Sequence, residues 1–457
     1  MKKNIHKRVA VLLVLLLAFT ALLSGCASGS SGGEQPVEKP ESKLALVQAQ
    51  FPEQVRDPMA DSKDGSDIDW DQYEAWSDDL YKRMEAQQKN GAGAQAFAAD
   101  TMPLFLIGDG ENRAYSPLNV YFALALLADI ASGDSQAQIL TALHADSLAD
   151  LQEKAPALWQ ACYRDDGQSK NILGNSLWLS DEWEFNEKLL QQAGERYFAD
   201  AYRGKMGSQE INELFHEWLD KMTGGLLTEQ IEALKLDPDI VMALASTIYY
   251  KAGWEESFPA EETKDDTFHA ESGDETVPFM HMTESGTLFT GTHFTAVMKR
   301  LSDGGRMLLM LPAEGYTPED LMEDPQAVAF LAGDLEQAGY ESGDLVLSIP
   351  KFDVTGEFDL IGYLRDLGIT DVFSPDAADF SELSEKRIYV SKAQHDARVK
   401  IDEEGVEAAA FTVMMMEAAG AWEPHYIEFT LDRPFLFSVN SGAGIPLFTG
   451  VVHHPAA

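Results

Sequence analysis

The feature of this sequence that most constrains its fold is a long stretch without lysine or arginine just before the last apolar strands. It begins as "IDEEGVEAAA" at residues 401–410 and continues with three consecutive methionines at residues 414–416. Neither lysine nor arginine occurs between residues 403 and 432, and Gly405 and Gly420 interrupt the run. The sequence therefore predicts an exposed loop that leaves one strand and leads into the final strands of the chain.

Helical patterns dominate the first half of the chain and strand patterns the second half. In "AYSPLNVYFALALLADI", residues 114–130, an apolar helix follows the cap-like pair Ser116-Pro117. The stretch "DIVMALASTIYYKAGW", residues 239–254, is rich in β-branched and aromatic residues, which is typical of a central strand. Segregated helices and strands, rather than alternating βαβ units, predict an α+β fold.

The formal net charge of −42 over 457 residues restricts the class of partner. Affinity for nucleic acid depends on clustered lysine and arginine, so this charge excludes nucleic acid as a partner. The same charge favours encounters with cationic proteins through long-range attraction. The hydrophobic share of 45% and the charged share of 24% are otherwise ordinary for a globular protein.

The N-terminus has the pattern of a lipoprotein signal peptide. A basic segment at residues 2–8 precedes an apolar run, and "LSGC", which ends at Cys26, resembles the bacterial lipobox. We therefore expect residues 1–25 to be removed and Cys26 to be lipidated. The exported chain would then be anchored at the bacterial cell membrane or envelope, on the extracytoplasmic side. The alternative is an ordinary secretory peptide that happens to end near a cysteine.

Two segments separate the signal from the main domain. Residues 26–65 are rich in Gly, Ser, Pro and Glu, which predicts a flexible acidic linker. Aromatic and apolar residues then recur at helical spacing from Trp70 to Leu80, so residues 66–91 are predicted to form a helical extension that packs on the main domain. The remainder, residues 92–457, is predicted to be one mixed domain.

No motif in the sequence supports catalysis or metal binding. The HExxH, CxxC and P-loop patterns are absent, and the histidines show no ligand spacing. Ser135 lies in the motif nearest to a nucleophile elbow, but a helical pattern precedes it where that motif requires a strand. We therefore expect no enzyme activity, no metal and no cofactor.

From about residue 92 to the C-terminus, the order of several motifs resembles the serpins, the serine protease inhibitor family. The motifs are "YSPLNVYFALALL", "TIYYKAGWEESF", "VSKAQHDARVKIDEEGVEAAA", "FTLDRPFLFSV" and "PLFTGVVHHP". The resemblance implies helices packed on a large central β-sheet, with smaller sheets and an exposed reactive-centre loop. It also implies a suicide-type inhibitor, in which a protease cleaves the loop, is held as an acyl-enzyme, and is trapped when the severed loop inserts into the central sheet.

The loop sequence suits insertion as a strand because its inward positions carry no charge. Alternate side chains of a strand point to opposite faces, and one face of an inserted strand is buried. Both glutamates, Glu407 and Glu417, fall on the outward positions. A merely disordered surface loop would not require this alternation. The inward set comprises Val406, Ala408, Ala410, Thr412, Met414, Met416 and Ala418.

By resemblance, three groups of residues would carry the inhibitory function. The reactive bond is predicted between Ala419 and Gly420, with a shift by one or more positions left open, and the neighbouring bait residues are Met416, Glu417 and Ala418. The hinge would comprise Glu403, Gly405, Val406, Glu407, Ala408, Ala409, Ala410 and Thr412. The sheet-opening and shutter residues would be Trp254, Ser116, Asn119, Ser246 and His395. The residue types at 119 and 246 depart from those of many members, which puts the usual hydrogen-bond network there in doubt.

The bait residues also predict the class of target protease. The loop offers no lysine or arginine to a trypsin-like protease, whereas Ala418, Ala419 and Gly420 suit the shallow pocket of an elastase- or subtilisin-like protease. Glu417 would instead suit a glutamate-cutting protease, and Met416 a chymotrypsin-like one. The expected partner is an extracellular serine protease, and the protein is expected to be a monomer.

Two other functions remain as alternatives. A non-inhibitory serpin-fold binding protein would carry charge, proline or bulk at the inward hinge positions, and residues 406–410 have none there. A solute-binding surface lipoprotein, suggested by the lipobox alone, would need a two-lobed α/β pattern that the sequence lacks.

Overall fold

The chain forms most of its helices in the first half and most of its strands in the second, as the sequence pattern predicts. The computed structural model describes residues 43–58, 60, 68–108, 110–225, 231, 234–407 and 425–456. Within them the α-helices are α1 (Trp70–Asn90), α2 (Ala92–Leu106), α3 (Pro117–Ile130), α4 (Gly133–Ala142), α5 (Leu148–Cys162), α6 (Glu187–Tyr197), α7 (Gln209–Met222), α8 (Pro318–Met322), α9 (Pro325–Leu331) and α10 (Leu360–Asp366).

The strands of the described residues are β1 (Ala45–Val47), β2 (Arg113–Tyr115), β3 (Arg164–Asp165), β4 (Lys170–Ser180), β5 (Asp200–Gly204), β6 (Met242–Gly253), β7 (Lys264–Ala270), β8 (Gly273–Thr290), β9 (Phe294–Arg300), β10 (Arg306–Pro312), β11 (Gly339–Pro350), β12 (Phe352–Asp359), β13 (Val390–Ile401), β14 (Gly405–Val406), β15 (Tyr426–Thr430), β16 (Phe435–Asn440) and β17 (Pro446–Val452). Short 3-10 helices lie at Ala260–Glu262, Leu335–Gln337 and Asp371–Phe373.

These strands form two large sheets with the helices packed on them, so the fold is α+β. The first, here called the central sheet, has the order β1-β5-β4-β6-β14-β13-β12, with β3 paired to β4. The second sheet has the order β15-β11-β8-β9-β10-β16-β17-β2, with β7 paired to β8. Strands that are far apart in the sequence, such as β6 and β13, are therefore neighbours.

Helix α3 connects the two sheets through the core. It contacts β4 and β6 of the central sheet and β17 of the second sheet. All of its residues are buried, which explains why its sequence is apolar on every side. The side chain of Ser116 caps the helix by accepting the backbone N–H of Asn119 at 3.1 Å. The predicted cap is confirmed, and it fixes the start of α3 against the central sheet.

Strand β6 is a central strand, as its composition predicts. It pairs antiparallel with β4 on one side and parallel with β13 on the other. Most of its residues are buried. A strand covered on both faces has a near-continuous apolar sequence instead of an alternating one. The position of β6 matters for the predicted hinge, because β14 pairs with the last residues of β6, Ala252 and Gly253.

Part of the predicted flexible linker is structured. Strand β1 pairs antiparallel with β5 at the edge of the central sheet, and Val47 is 5% exposed. The ring of Phe51 lies against that of Trp159, with centroids 5.5 Å apart. The linker prediction therefore does not hold for residues 43–58, because a few apolar side chains within a polar composition suffice to dock the chain on a sheet edge.

Helix α1 forms where the helical spacing predicts it, and the predicted face packs on the rest of the chain from Trp76 onward, where the indole N–H of Trp76 donates to Asp166 at 3.4 Å. Trp70 is 73% exposed and Tyr73 is 39% exposed. Further along the same face the helix is held by Arg83, whose Nη1 donates to the carbonyls of Gln160 and Tyr163 at 2.8 and 2.9 Å. These carbonyls lie at the C-terminal end of α5, where a helix leaves acceptors unpaired. Aromatic spacing identified the helix and the face that packs, but not that Trp70 and Tyr73 at its start are exposed.

Candidate hinge and sheet-opening site

Strand β14 lies between β6 and β13 at one end of the central sheet. Val406 pairs with Ala252 of β6 on one side and with Ile401 of β13 on the other. Gly405 pairs with Gly253, and all of these pairings are antiparallel. Val406 is only 1% exposed. Two residues of the predicted hinge therefore already belong to the sheet.

Beyond the end of β14, strands β6 and β13 pair directly with each other. Their parallel ladder extends from Val390 opposite Met242 to Asp396 opposite Thr247. The central sheet is thus closed along this ladder and divided only where β14 enters. Two parallel strands that separate can both bind one antiparallel strand, because each then presents an edge of free N–H and C=O groups. The arrangement is able to accept a strand longer than β14.

Trp254 holds the chain just before β14. Its indole N–H donates to the carbonyl of Asp402 at 2.9 Å, and its backbone N–H donates to the carbonyl of Glu404 at 2.9 Å. The side chain is 1% exposed, so these bonds are shielded from water. The structure therefore places this predicted sheet-opening residue in direct contact with the hinge segment.

The side chain of Glu403 connects the segment just before β14 to two other parts of the chain. Its carboxylate accepts from Lys351 Nζ at 2.7 Å and from Thr263 Oγ1 at 2.8 Å. Burial alone raises the pKa of Glu403, but the hydrogen bonds from Lys351 and Thr263 outweigh it and hold the pKa below its ordinary value. Lys351 and Thr263 were not identified from the sequence, since only the fold brings them to the hinge.

Glu407, the first residue after β14, has an uncommon backbone conformation. Its φ of +50° lies in the left-handed region, which residues with a side chain rarely adopt. Its N–H still donates to the carbonyl of Lys400 at 3.1 Å. Burial raises the pKa of the Glu407 carboxyl to about 7, although the nearby Arg398 acts to lower it. The strand ends at this residue because the backbone leaves the extended conformation.

The other four residues predicted to control sheet opening form one buried hydrogen-bond network. Asn119 Nδ2 donates to Ser246 Oγ at 2.9 Å and to the carbonyl of Gly174 at 3.1 Å. The backbone N–H of Ser116 donates to His395 Nε2 at 2.9 Å. His395 Nδ1 lies 3.3 Å from Ser246 Oγ. The network joins the start of α3 to β4, β6 and β13, so the unusual residue types at 119 and 246 still form a closed set of contacts.

Burial determines the protonation state of His395. The side chain is 0% exposed, and burial lowers its pKa to about 4. Because Nε2 accepts the N–H of Ser116, the ring hydrogen is on Nδ1, which lies 3.2 Å from the carbonyl of Ser246. The neutral imidazole thus joins two neighbouring strands and the start of α3.

Asp396 is a buried carboxyl that the sequence analysis did not single out. It is 2% exposed, and its Oδ1 accepts from Gln394 Nε2 at 2.9 Å. Its Oδ2 has no partner among the described residues, and burial raises its pKa to about 7. It pairs with Thr247 at the end of the ladder between β6 and β13, next to the gap into which β14 fits. No sequence signal marks it, because its burial arises from strands distant in sequence.

Several predicted site residues lie outside the described residues: Ala408, Ala409, Ala410, Thr412, Met416, Glu417, Ala418, Ala419, Gly420 and Cys26. In the part of the chain that the structure describes, no group of three or more His, Cys, Asp or Glu side chains is arranged to hold a metal ion. The same part contains no helix with the length and hydropathy needed to cross a bilayer.

Comparison with known proteins identifies the family. A family model described as Serpin (serine protease inhibitor) matches residues 92–455. Alpha-1-antitrypsin 1-4 of Mus musculus is 30% identical over 360 residues, which cover 76% of this chain and 84% of that protein. The structure of tengpin, a thermophilic serpin in the native state, superposes with a TM-score of 0.70 at 27% identity and covers 79% of this chain and 93% of tengpin. Human thyroxine-binding globulin superposes with a TM-score of 0.71 over 83% of this chain and 100% of its own, but at 22% identity this shows the fold alone.

The α+β fold, with β14 between β6 and β13 in the central sheet, superposes on that of solved serpins. The chain belongs to the serpin family, so the predicted family resemblance is confirmed. Membership makes protease inhibition its general function and places it among inhibitors instead of catalytic enzymes.

Proposed function

We propose that this protein is a suicide-type inhibitor that traps an elastase- or subtilisin-like serine protease. The observation that carries the proposal is the position of β14 between the parallel strands β6 and β13. Two hinge residues, Gly405 and Val406, already have the pairing that an inserted loop would have along its whole length. The remaining insertion would extend an existing strand and would not require a new one to be nucleated.

The register of β14 supports continued insertion. Val406 pairs with Ile401, so an extension of the same antiparallel register would bring Ala408 opposite Val399 and Ala410 opposite Ala397. Val399 and Ala397 are 1% and 0% exposed, which marks them as members of the buried face of β13. The uncharged set of loop residues would therefore face the core, and the glutamates would face outward. From 405 to 419 the inserted strand would extend roughly 50 Å.

The chemical step would begin at the bond between Ala419 and Gly420. The serine Oγ of the protease attacks the carbonyl carbon of Ala419, an ester forms, and the amine of Gly420 leaves with the proton that the protease histidine supplies. Insertion must then separate the ester from the machinery that would hydrolyse it. Ala418, Ala419 and Gly420 suit a shallow specificity pocket, while cleavage at Glu417 or Met416 would indicate a glutamate-cutting or a chymotrypsin-like target.

The test is the formation of a covalent adduct. The protein is incubated with pancreatic elastase or subtilisin, and the mixture is separated under denaturing conditions. We expect an SDS-resistant adduct and a released C-terminal peptide that begins at Gly420. Cleavage without any adduct would contradict the proposal and favour a non-inhibitory binding protein, whereas a peptide with a different first residue would only relocate the reactive bond.

A matched pair of hinge variants separates insertion from simple cleavage. Ala408→Arg places a charge on an inward position, so the variant should be cleaved as a substrate with at least a ten-fold loss of adduct. Ala409→Arg places the same side chain on an outward position and should retain adduct formation. Equal adduct yields for the two variants would contradict the inserted register.

We also propose that the chain is exported, lipidated at Cys26 and held as a monomer at the bacterial cell envelope. The basic, apolar and "LSGC" segments in succession support this proposal. Cys26→Ser should prevent the incorporation of labelled fatty acid and release the protein from the membrane fraction. Fatty-acid labelling that persists in the variant would contradict the assignment.

A further inference from the structure

Three consecutive backbone carbonyls just before β14 are bound by one short segment that follows β6, residues 254–258, here called the clamp segment. The backbone N–H of Phe258 donates to the carbonyl of Glu403 at 3.0 Å. Trp254 binds the carbonyls immediately before and after that one, through its indole and its backbone N–H. These carbonyls form the turn between β13 and β14. The clamp segment therefore holds the turn from which the proposed insertion would proceed.

The ammonium of Lys299, in β9, lies against the clamp segment. Its Nζ donates to the backbone carbonyl of Glu256 at 2.8 Å. The ring centroids of Phe258 and Trp254 lie 4.7 and 5.6 Å from the same nitrogen, a distance at which an aromatic ring attracts a cation. Lys299 thus contacts the backbone of the segment and both aromatic residues that bind the turn.

The other contacts of this ammonium fix it to β8. Nζ donates to Glu284 Oε2 at 2.7 Å and to Met282 Sδ at 3.2 Å. Together with the carbonyl of Glu256, these atoms supply one acceptor for each of its three N–H groups. Lys299 is 1% exposed, and burial lowers its pKa, although the carboxylate of Glu284 acts to raise it. A buried polar group with all its partners in place makes its surroundings rigid.

We propose that Lys299 is a positioning residue for loop insertion, because it fixes the clamp segment and, through that segment, the turn before β14. The inference rests on the inhibitory function proposed above and adds to it a residue outside the hinge. Lys299 belongs to the second sheet, whereas the clamp segment follows the last residue of β6 in the central sheet. Its side chain therefore connects the two sheets beside the hinge.

A loosened turn would impair trapping for a kinetic reason. The severed loop has to enter between β6 and β13 in one register, and a shift by one residue would turn its uncharged face outward. Insertion also competes with hydrolysis of the ester that holds the protease. If the turn moves, more loops enter late or out of register, and more protease is released with the loop cleaved.

Three variants separate this positioning role from general stability. Lys299→Met removes the ammonium and leaves the carboxylate of Glu284, whose side chain is 12% exposed, without its cation. Lys299→Met combined with Glu284→Gln removes both charges, so stability should largely recover while the contact with the Glu256 carbonyl stays lost. Arg196→Met is the control, because it also leaves a buried carboxylate, that of Asp129, without its ion pair, but in α3 and α6.

Two measurements on the full chain report on the turn and on trapping separately. Hydrogen exchange at the backbone amides of Trp254 and Phe258 reports whether they still bind the turn, and it needs no protease. The number of inhibitor molecules consumed for each subtilisin molecule trapped reports how often insertion succeeds. Melting temperatures verify that each variant is folded and rank the losses of stability.

We expect both Lys299 variants to exchange these two amides about ten-fold faster than the unmodified protein and to consume roughly twice as much inhibitor for each protease trapped. Arg196→Met should lower the melting temperature and change neither quantity. Unchanged exchange or unchanged consumption in the double variant, or equal effects in Arg196→Met, would overturn this inference alone. No adduct with the unmodified protein would overturn the proposed inhibition, and with it the role of Lys299 in trapping.

Discussion

The ammonium of Lys351 lies 2.7 Å from a carboxylate oxygen of Glu403, and this contact joins the turn between β11 and β12 to the chain just before β14. The two side chains are 34% and 15% exposed, so water screens the pair only in part. Since β14 is the part of the predicted hinge that lies in the sheet, this ion pair holds the chain at the point from which the proposed insertion would proceed.

Replacement of Lys351 should therefore destabilise the hinge end of the central sheet. We expect Lys351→Met to lower the free energy of unfolding by about 1 kcal/mol, because the carboxylate of Glu403 loses its ion pair and keeps only neutral donors, the Thr263 hydroxyl and a backbone N–H. Chemical unfolding by urea measures the change. Lys264→Met is the control, since its ion pair with Glu262 is 63% and 52% exposed and should contribute little. An equal loss in the two variants would contradict a special role for Lys351.

We expect Asn119→Ala to destabilise the folded protein more than the loss of a single hydrogen bond would. The Nδ2 group donates to Ser246 Oγ and to the carbonyls of Gly174 and Thr247, all in a buried setting. Removal leaves buried acceptors unpaired, so we expect a loss of about 2 kcal/mol in unfolding free energy. Gln191→Ala removes an exposed amide and should be nearly neutral. Comparable melting temperatures for the two variants would show that the network does not stabilise the closed sheet.

His395 should make the protein sensitive to acid. In the unfolded chain the imidazole binds a proton below its ordinary pKa of 6.5, whereas in the folded protein burial lowers that pKa to about 4. The unfolded state thus binds more protons in this interval, and stability falls as the pH decreases from 6.5 to 4, by about 1.4 kcal/mol per pH unit at most. His395→Gln should flatten this part of the profile of unfolding free energy against pH. An unchanged slope would contradict the assignment.

Asp396 should have the opposite pH dependence. Burial raises the pKa of its carboxyl from 3.8 to about 7, so its contribution to stability is complete below pH 3.8 and is lost as the pH rises through 7. Asp396→Asn should therefore stabilise the protein at pH 8, by on the order of 2 kcal/mol, and change little at pH 4. Asp353→Asn is the control: Asp353 is paired with Arg398 at 2.5 Å, and its loss should destabilise at pH 8. Destabilisation by both variants at pH 8 would contradict the prediction for Asp396.

Local patterns were sufficient for much of the fold. The cap at Ser116 and the mostly apolar sequence of α3 predicted a buried helix, and the β-branched residues of β6 predicted a central strand, since capping and burial leave direct marks on a sequence. The colinear motifs predicted the family. The same patterns did not predict β1, because a strand of three residues within a polar segment is too short to change the composition of that segment.

The hinge shows where such reasoning ends. The alternation along residues 406–418 predicted a loop that is able to form a strand. The local sequence does not show that β14, Gly405–Val406, is already paired with β6 on one side and β13 on the other. That pairing needs β6 and β13, which are more than a hundred positions apart in the chain. Helix α1 shows the same limit: Arg83 binds the carbonyls at the end of α5, and no spacing of aromatic residues encodes that contact with another helix.

By itself the sequence determined the family, the α+β class and the uncharged face of the loop, because these follow from order, periodicity and charge along one chain. Only the tertiary structure decided which lysine pairs with Glu403, that Asp396 is buried with an unpaired oxygen, and that the buried ammonium of Lys299 lies against the segment after β6. Those properties depend on distances between residues that are remote in sequence, and such distances exist only once the sheets have formed.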